Sequence, residues 1–455
     1  MAKVGNVVKN LGAGTWVRAS TILFKLVQVP LLLGFLGADD YGRWLILYSL
    51  PSWLAYASQG FGSVASNEIP IAVAGGRHQA AREVYATSFA FMFGIAAVGM
   101  VIVAVLLPLI PWASFLDAAA DRRGEIQLAV AFLALAMFAS FLGELFYGRF
   151  RAAEKAHQAI LITSFQSWTE LLFLFVALQF TTRFDYLAAA VLIGTLLYVA
   201  GYGLLSFFAY RDLTFRLADV KVARFRELFR KGFAFQAFPL GNALLFQGNL
   251  LAVQLILGPA AVALFGTVRT LVRVLNQALE LVSKSIWPEL SYLFGKENFD
   301  EIRRLHRMGV GLCVVLAVGG VVGLAAVGPF LYDLWVGDAI ALSFTLLLFF
   351  LLPIPFNALW LTSSTVLMAC NRHEGLAKRY ILATGLAAVG CAVLTWLLGI
   401  RGAAFSTVIA DLILIPYVLH HALTLSRDAL GPFFQGAAAE LRALTRKALH
   451  LHHTS

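Results

Sequence analysis

Residues 44–67, 186–210 and 308–332 each run without a single Asp, Glu, Lys or Arg. About 20 apolar residues suffice for an α-helix to cross the ~30 Å hydrocarbon of a bilayer. Backbone in lipid must satisfy its own N–H and C=O groups, so such stretches fold as helices or as strands of a closed barrel. A barrel needs strands of about 10 alternating residues; these runs are longer and do not alternate. The expected fold class is therefore an all-α polytopic membrane protein. Composition agrees, with 60% of the 455 residues apolar and 13% charged, and a mean hydropathy of +0.80. Soluble domains of ordinary size cannot hide that much apolar surface. Disorder, nucleic-acid modules and disulfide scaffolds are excluded. Cys313, Cys370 and Cys391 lie in or beside apolar runs and read as small buried hydrophobes. The first apolar run carries Arg18 and Lys25, unlike the uninterrupted core of a signal peptide.

Hydropathy gives twelve spans: 11–36, 44–67, 84–111, 126–148, 157–180, 186–210, 232–257, 262–287, 308–332, 340–369, 380–399 and 402–425. With a cytoplasmic N-terminus, 25 of the 35 Lys and Arg fall on the inside, 5 outside and 5 within spans. This is the positive-inside bias. It places both termini inside, and it accounts for the net charge of +10 through lipid head groups, with no nucleic-acid partner. Segment 211–231, with seven Lys and Arg, divides the chain into an N-terminal six-helix lobe (1–215) and a C-terminal six-helix lobe (216–425), followed by a cytoplasmic tail (426–455). A short internal repeat supports the division. Leu36-Gly37 and Tyr41-Gly42 recur as Leu257-Gly258 and Phe265-Gly266, in the manner of transporter repeats.

Ionisable groups inside spans are costly and are functional candidates by default. Arg18 and Lys25 of span one are seven residues apart, which places them on one helix face about 10 Å apart along the axis. Arg269, Arg273, Glu280 and Lys284 of span eight fall within a stripe about 60° wide that climbs roughly 22 Å. Lys284 and Arg269 lie near span ends, where they can also snorkel to head groups, and Glu280–Lys284 is a favourable i,i+4 pair. The deeper cations suggest a wet wall facing an anion. Glu170 of span five, among Thr163, Ser164, Gln166, Ser167 and Thr169, either binds a coupling cation or pairs with an arginine; Asp411 of span twelve carries the same ambiguity. Glu144 is expected near Arg149 at a span end. Pro30, Pro51, Pro239, Pro353, Pro355 and Pro416 interrupt spans and permit kinks. Residues 429–449 read as an interfacial helix turning Arg442, Arg446 and Lys447 to head groups; His450, His452 and His453 read as a disordered tail. No phosphate-binding Gly-x4-Gly-Lys-Ser/Thr loop, His-Glu-x-x-His or Cys/His zinc spacing occurs, so no catalytic residue, cofactor or metal is expected.

The pattern Asn10-Leu11, Trp16, Pro30, Leu36-Gly37, Tyr41-Gly42-Arg43-Trp44, Gly60-Phe61-Gly62 and Asn67, with Gly402-Ala403-Ala404 before the last span, resembles the polysaccharide-export branch of the multidrug/oligosaccharidyl-lipid/polysaccharide flippase superfamily, which includes the O-antigen-type flippases. The resemblance implies two six-helix lobes around a central cavity in a bacterial inner membrane. It implies that an oligosaccharide on undecaprenyl pyrophosphate is turned to the periplasmic leaflet by alternating access. Related peptidoglycan-precursor flippases place cations of their first and eighth spans in the cavity. Arg18, Lys25, Arg269 and Arg273 match these by span, without an exact motif, and are the candidate substrate-binding residues. Glu170 and Asp411 are candidates for coupling or charge balance, with H+ or Na+ as the ion and glycan-assembly proteins as further partners. Those relatives usually carry two more spans.

The chemistry suits an anionic cargo. A pyrophosphate needs several N–H donors, and each negative charge leaving an inside-negative membrane gains about 2.3 kcal/mol per 100 mV. A cation-coupled multidrug exporter of the same superfamily is the alternative; that branch typically uses acidic cavity residues, and span one has none. A membrane glycan polymerase or ligase fits less well, since the longest outside segment, 112–125, is short. A non-transporting scaffold leaves the buried charges without a purpose.

Overall fold

The computed structural model describes the backbone of residues 2–370 and 372–452, and the side chains of 9, 12–53, 62, 64–229, 236–370, 372–440 and 442. The side chains of Asn10, Leu11, Gly60, Phe61, Arg446, Lys447, His450, His452 and His453, discussed above, lie outside the described residues. All regular structure among the described residues is helical.

Ten described stretches are long and apolar enough to cross a membrane. One of them, Gly12–Trp53, contains Gly37 in a non-helical conformation (φ 73°, ψ 175°), so it holds span one and the start of span two. The helix Pro259–Gly295 is less apolar than these ten because it contains Arg269, Arg273, Glu280 and Lys284; it is span eight. The helices then match the twelve expected segments one for one, and the chain is an all-α polytopic membrane protein. The turn between spans one and two is tighter than hydropathy suggested, because glycine alone enters positive φ at no steric cost. Gly258, its counterpart in the internal repeat, also has positive φ (82°) and separates Asn249–Leu257 from Pro259–Gly295. Prolines act unevenly. Pro30 and Pro51 sit inside continuous helix, whereas Pro353 starts a new helix at mid-span. Span seven is the most broken, passing from Ala237–Ala243 through a π-helical turn, Leu244–Gly248, into Asn249–Leu257.

The chain forms two compact units, one of residues 1–247 and 258–263, the other of 248–257 and 264–455. In the first, spans two to four pack around Ile69, Val84, Tyr85, Phe138 and Leu145. One end is tied by charge. Asp40 accepts from Arg43 at 2.6 Å and from Arg122 at 2.9 Å, while Glu125 accepts from Arg122 at 2.9 Å and from the Phe184 N–H at 2.7 Å. Three of the five arginines assigned to the outside, Arg43, Arg122 and Arg183, are thus engaged by carboxylates, Arg183 by Asp185. At the opposite end Arg149, expected in a loop, is buried against the Tyr85 ring, 4.4 Å from its centroid, and donates to Ser206 and the Leu213 carbonyl. Glu144 lies beside Ser66, Arg151 and Gly62, whereas Arg149 is turned to Tyr85.

In the second unit, span eight packs on its neighbours through Thr267–Tyr332 (2.7 Å) and Ser283–Thr362 (3.2 Å). The tail helix Leu430–His452 docks by burying Phe433 against Val310, Leu419 and Leu423. Phe433 also lies against the His306 ring, whose Nε2 is 3.0 Å from the Ser363 hydroxyl.

Candidate functional site

Span one shows how its cations are positioned. Trp16 donates to Ser164 at 3.3 Å, Ser20 accepts from Trp168 at 2.7 Å, and Phe24 meets the Trp168 ring edge-on. These three recur at i, i+4 and i+8 and form the face that holds span one to span five. At 100° per residue, Arg18 and Lys25 lie about 180–200° from Trp16, on the opposite face. Arg18 is half-buried. Lys25 is exposed and donates to Gln28 at 2.8 Å.

Span eight divides its surface similarly. Val268, Val272, Leu279, Ser283, Ile286 and Leu290 are buried on one face, and the charged stripe borders it. Arg269 is half-buried with its guanidinium 5.4 Å from the Phe265 ring centroid, and Arg273 is exposed. Glu280 and Lys284 pair with each other at 3.0 Å, so the stripe's own chemistry neutralises one of its three cations. Arg18 and Lys25 belong to the first unit, Arg269 and Arg273 to the second.

Glu170 is 9% exposed, and its carboxylate accepts from three neutral donors. These are the Thr195 hydroxyl at 2.9 Å, the Gln166 amide at 3.0 Å and the Tyr48 hydroxyl at 3.1 Å. The charge of Lys25 also acts on it. Gly194 permits this arrangement, since a Cβ there would stand 2.9 Å from the Glu170 Cα. Beside the carboxylate lies a cavity of about 50 Å³, bordered by Tyr48, Ser140, Gln166 and Thr195. It has room for water and none for a sugar. Its lining offers oxygen atoms, the donors that hard cations prefer. No cluster of three or more His, Cys, Asp or Glu fit to hold a metal occurs among the described residues.

Asp411, 5% exposed, accepts from the Trp360 indole at 2.6 Å and the Asn357 amide at 3.3 Å. Neither acid is paired with an arginine among the described residues. Tyr48, Thr195, Asn357 and Trp360 escaped the sequence analysis because each lies 25 to 122 residues from its carboxylate; a buried acid demands donors, but the pattern does not say from where.

No protein-family model matches the chain, and no curated protein sequence matches it. Solved structures do. The chain is similar to an inward-facing multidrug resistance MATE family transporter of the MOP superfamily, with TM-score 0.75 and 14% identity over 90% of this chain and 96% of that one. It is similar to the lipid II flippase MurJ in an inward closed conformation, with TM-score 0.69 and 14% identity over 96% and 92%. It is also similar to a MOP superfamily transporter from Pyrococcus furiosus described as having a binding pocket of reversed polarity, with TM-score 0.65 and 13% identity over 92% and 96%. The chain shares the fold of these solved structures, which are transporters and a flippase.

Proposed function

We propose that the chain is a flippase that turns an oligosaccharide on undecaprenyl pyrophosphate from the cytoplasmic to the periplasmic leaflet of a bacterial inner membrane by alternating access. The observation that carries this reading is the placement of Arg18 and Lys25. Both lie within a membrane span, on the face opposite the contacts that hold the helix to its own unit. Cations within a span are expensive in lipid and are functional candidates by default, and an anionic ligand accounts for their presence. Arg269 and Arg273 supply further N–H donors for a pyrophosphate. The shared fold with a lipid II flippase supports the same cargo class. Glu170, with its water-sized cavity and oxygen lining, is the coupling site for H+ or Na+, and Asp411 serves charge balance.

A second reading, a cation-coupled multidrug exporter, is favoured by the two buried carboxylates and by the shared fold with MATE transporters. The discriminating experiment replaces Arg18 and Arg273 singly with Ala in a glycan-exporting host, verifies membrane insertion, and quantifies surface glycan. The flippase reading expects a strong loss with both. Undiminished glycan from both variants, together with efflux of organic cations, would establish the exporter instead.

A further inference from the structure

A groove runs along span three, apart from the charged residues described above. Thr87, Phe91, Gly94, Val98 and Ile102 of the helix His78–Leu106 form its floor. Their spacing of three or four keeps them on one face, which climbs about 22 Å. Phe138 forms one wall and Phe225 the other, the Phe225 ring standing edge-on to Phe91 at 4.9 Å. The groove encloses about 600 Å³, within the usual range of ligand sites. Two glycines shape it. A Cβ on Gly94 would meet nothing within 4 Å, so Gly94 keeps the groove open; a Cβ on Gly99 would overlap the Phe138 ring, so Gly99 lets that wall close in.

The mouth lies at the basic end. Lys221 lines it, with its backbone N–H donating to the Thr87 hydroxyl at 3.0 Å. The Lys221 ammonium is exposed and meets no carboxylate among the described residues. Glu83 and Glu227 are engaged by Arg224 instead, at 3.7 and 2.9 Å. An apolar trough in the hydrocarbon with one uncommitted cation at its head-group end matches an amphiphile with one apolar tail and one negative charge.

We propose that this groove binds an anionic glycerophospholipid, with one fatty-acyl chain along 87–102 between Phe138 and Phe225 and its phosphate at Lys221. A polyprenyl pyrophosphate fits less well, because it asks for several donors and Lys221 offers one ammonium. The bound lipid would fasten segment 220–225 to span three, so the order of the stretch leading into span seven would depend on the anionic lipid content of the membrane. This inference rests on the groove's own residues and stands apart from the flippase reading.

The test reconstitutes the full chain in phosphatidylcholine vesicles carrying a trace phospholipid with a photoactivatable acyl chain, headed by either phosphatidylglycerol or phosphatidylcholine, and maps the label by peptide. Wild type should be labelled within 87–102 and 220–225, more strongly by the anionic probe. Gly94→Leu, which fills open space, should remove most of that label. Lys221→Gln, at an exposed position, should lower the preference for the anionic probe about fivefold. Equal labelling by the two probes, label unchanged by Gly94→Leu, or displacement by polyprenyl phosphate but not by phosphatidylglycerol would overturn the proposal.

Discussion

The guanidinium of Arg307 meets the carboxylate of Asp428 at two points, Nη2 to Oδ1 at 2.6 Å and Nε to Oδ2 at 2.8 Å. The pair ties span nine to the turn that precedes the tail helix, and Arg304–Glu440 at 3.3 Å adds a second tie. Burial alone would raise the Asp428 carboxyl, but the Arg307 hydrogen bonds, the Ala429 N–H and the charge of Arg307 outweigh it and hold the group below its ordinary value. A lowered folded value means that protons bind the undocked state more readily. The pair's contribution is therefore complete above about pH 4 and fades as pH falls through the lower folded value. Asp428→Asn should weaken tail docking by about 1–3 kcal/mol and remove its loss on acidification. Hydrogen exchange over 430–440 at neutral and acidic pH measures both effects; equal protection in variant and wild type would show that Phe433 alone holds the helix.

Glu170→Gln keeps an acceptor oxygen for Thr195 and Gln166, which share Oε1, and turns an amide N–H toward the Tyr48 hydroxyl at the Oε2 position, while abolishing the charge. Wild-type insertion and stability are expected, with loss of any stimulation of transport by an imposed H+ or Na+ gradient. Transport that still responds fully to both gradients would remove Glu170 from the coupling role.

Gly42 packs directly on the Pro259 carbonyl, where a Cβ has no room. Gly42→Ala should cost about 1–3 kcal/mol through overpacking. Gly37→Ala meets no atoms and should cost about 1–2 kcal/mol through positive φ alone. Melting in detergent separates the two mechanisms when combined with Gly37→Asn, which should recover none of the loss, because φ 73°, ψ 175° lies outside the left-handed well that Asn tolerates and is open essentially to glycine alone.

Within the charged stripe of span eight, Glu280 and Lys284 are half exposed and paired. Replacing both with Gln should change stability by less than about 1 kcal/mol and leave transport intact. A collapse of transport would assign that pair to the cargo as well.

Hydropathy and Lys/Arg placement sufficed for the helices because span length and lipid solubility are local properties of the chain. Even span eight was legible, since its charges fall on one stripe. The Gly37 turn was blurred because one residue at positive φ interrupts helix without interrupting hydropathy. The donors to Glu170 and Asp411 were illegible because they come from other helices, and only packing decides which helices meet. Arg149 was misplaced for a related reason. An arginine at a span end looks like a head-group anchor, and the aromatic face of Tyr85 that receives it lies 64 residues earlier.

The most direct measurement of the central claim is flipping of a defined undecaprenyl-pyrophosphate oligosaccharide in proteoliposomes, with Arg18→Ala and Arg273→Ala beside wild type. Loss of one guanidinium–phosphate contact, about 1.5–3 kcal/mol, predicts half-saturating substrate concentrations raised about 10- to 100-fold in each variant. Wild-type flipping by both variants, or no flipping by the wild-type protein alongside transport of organic cations, would contradict it.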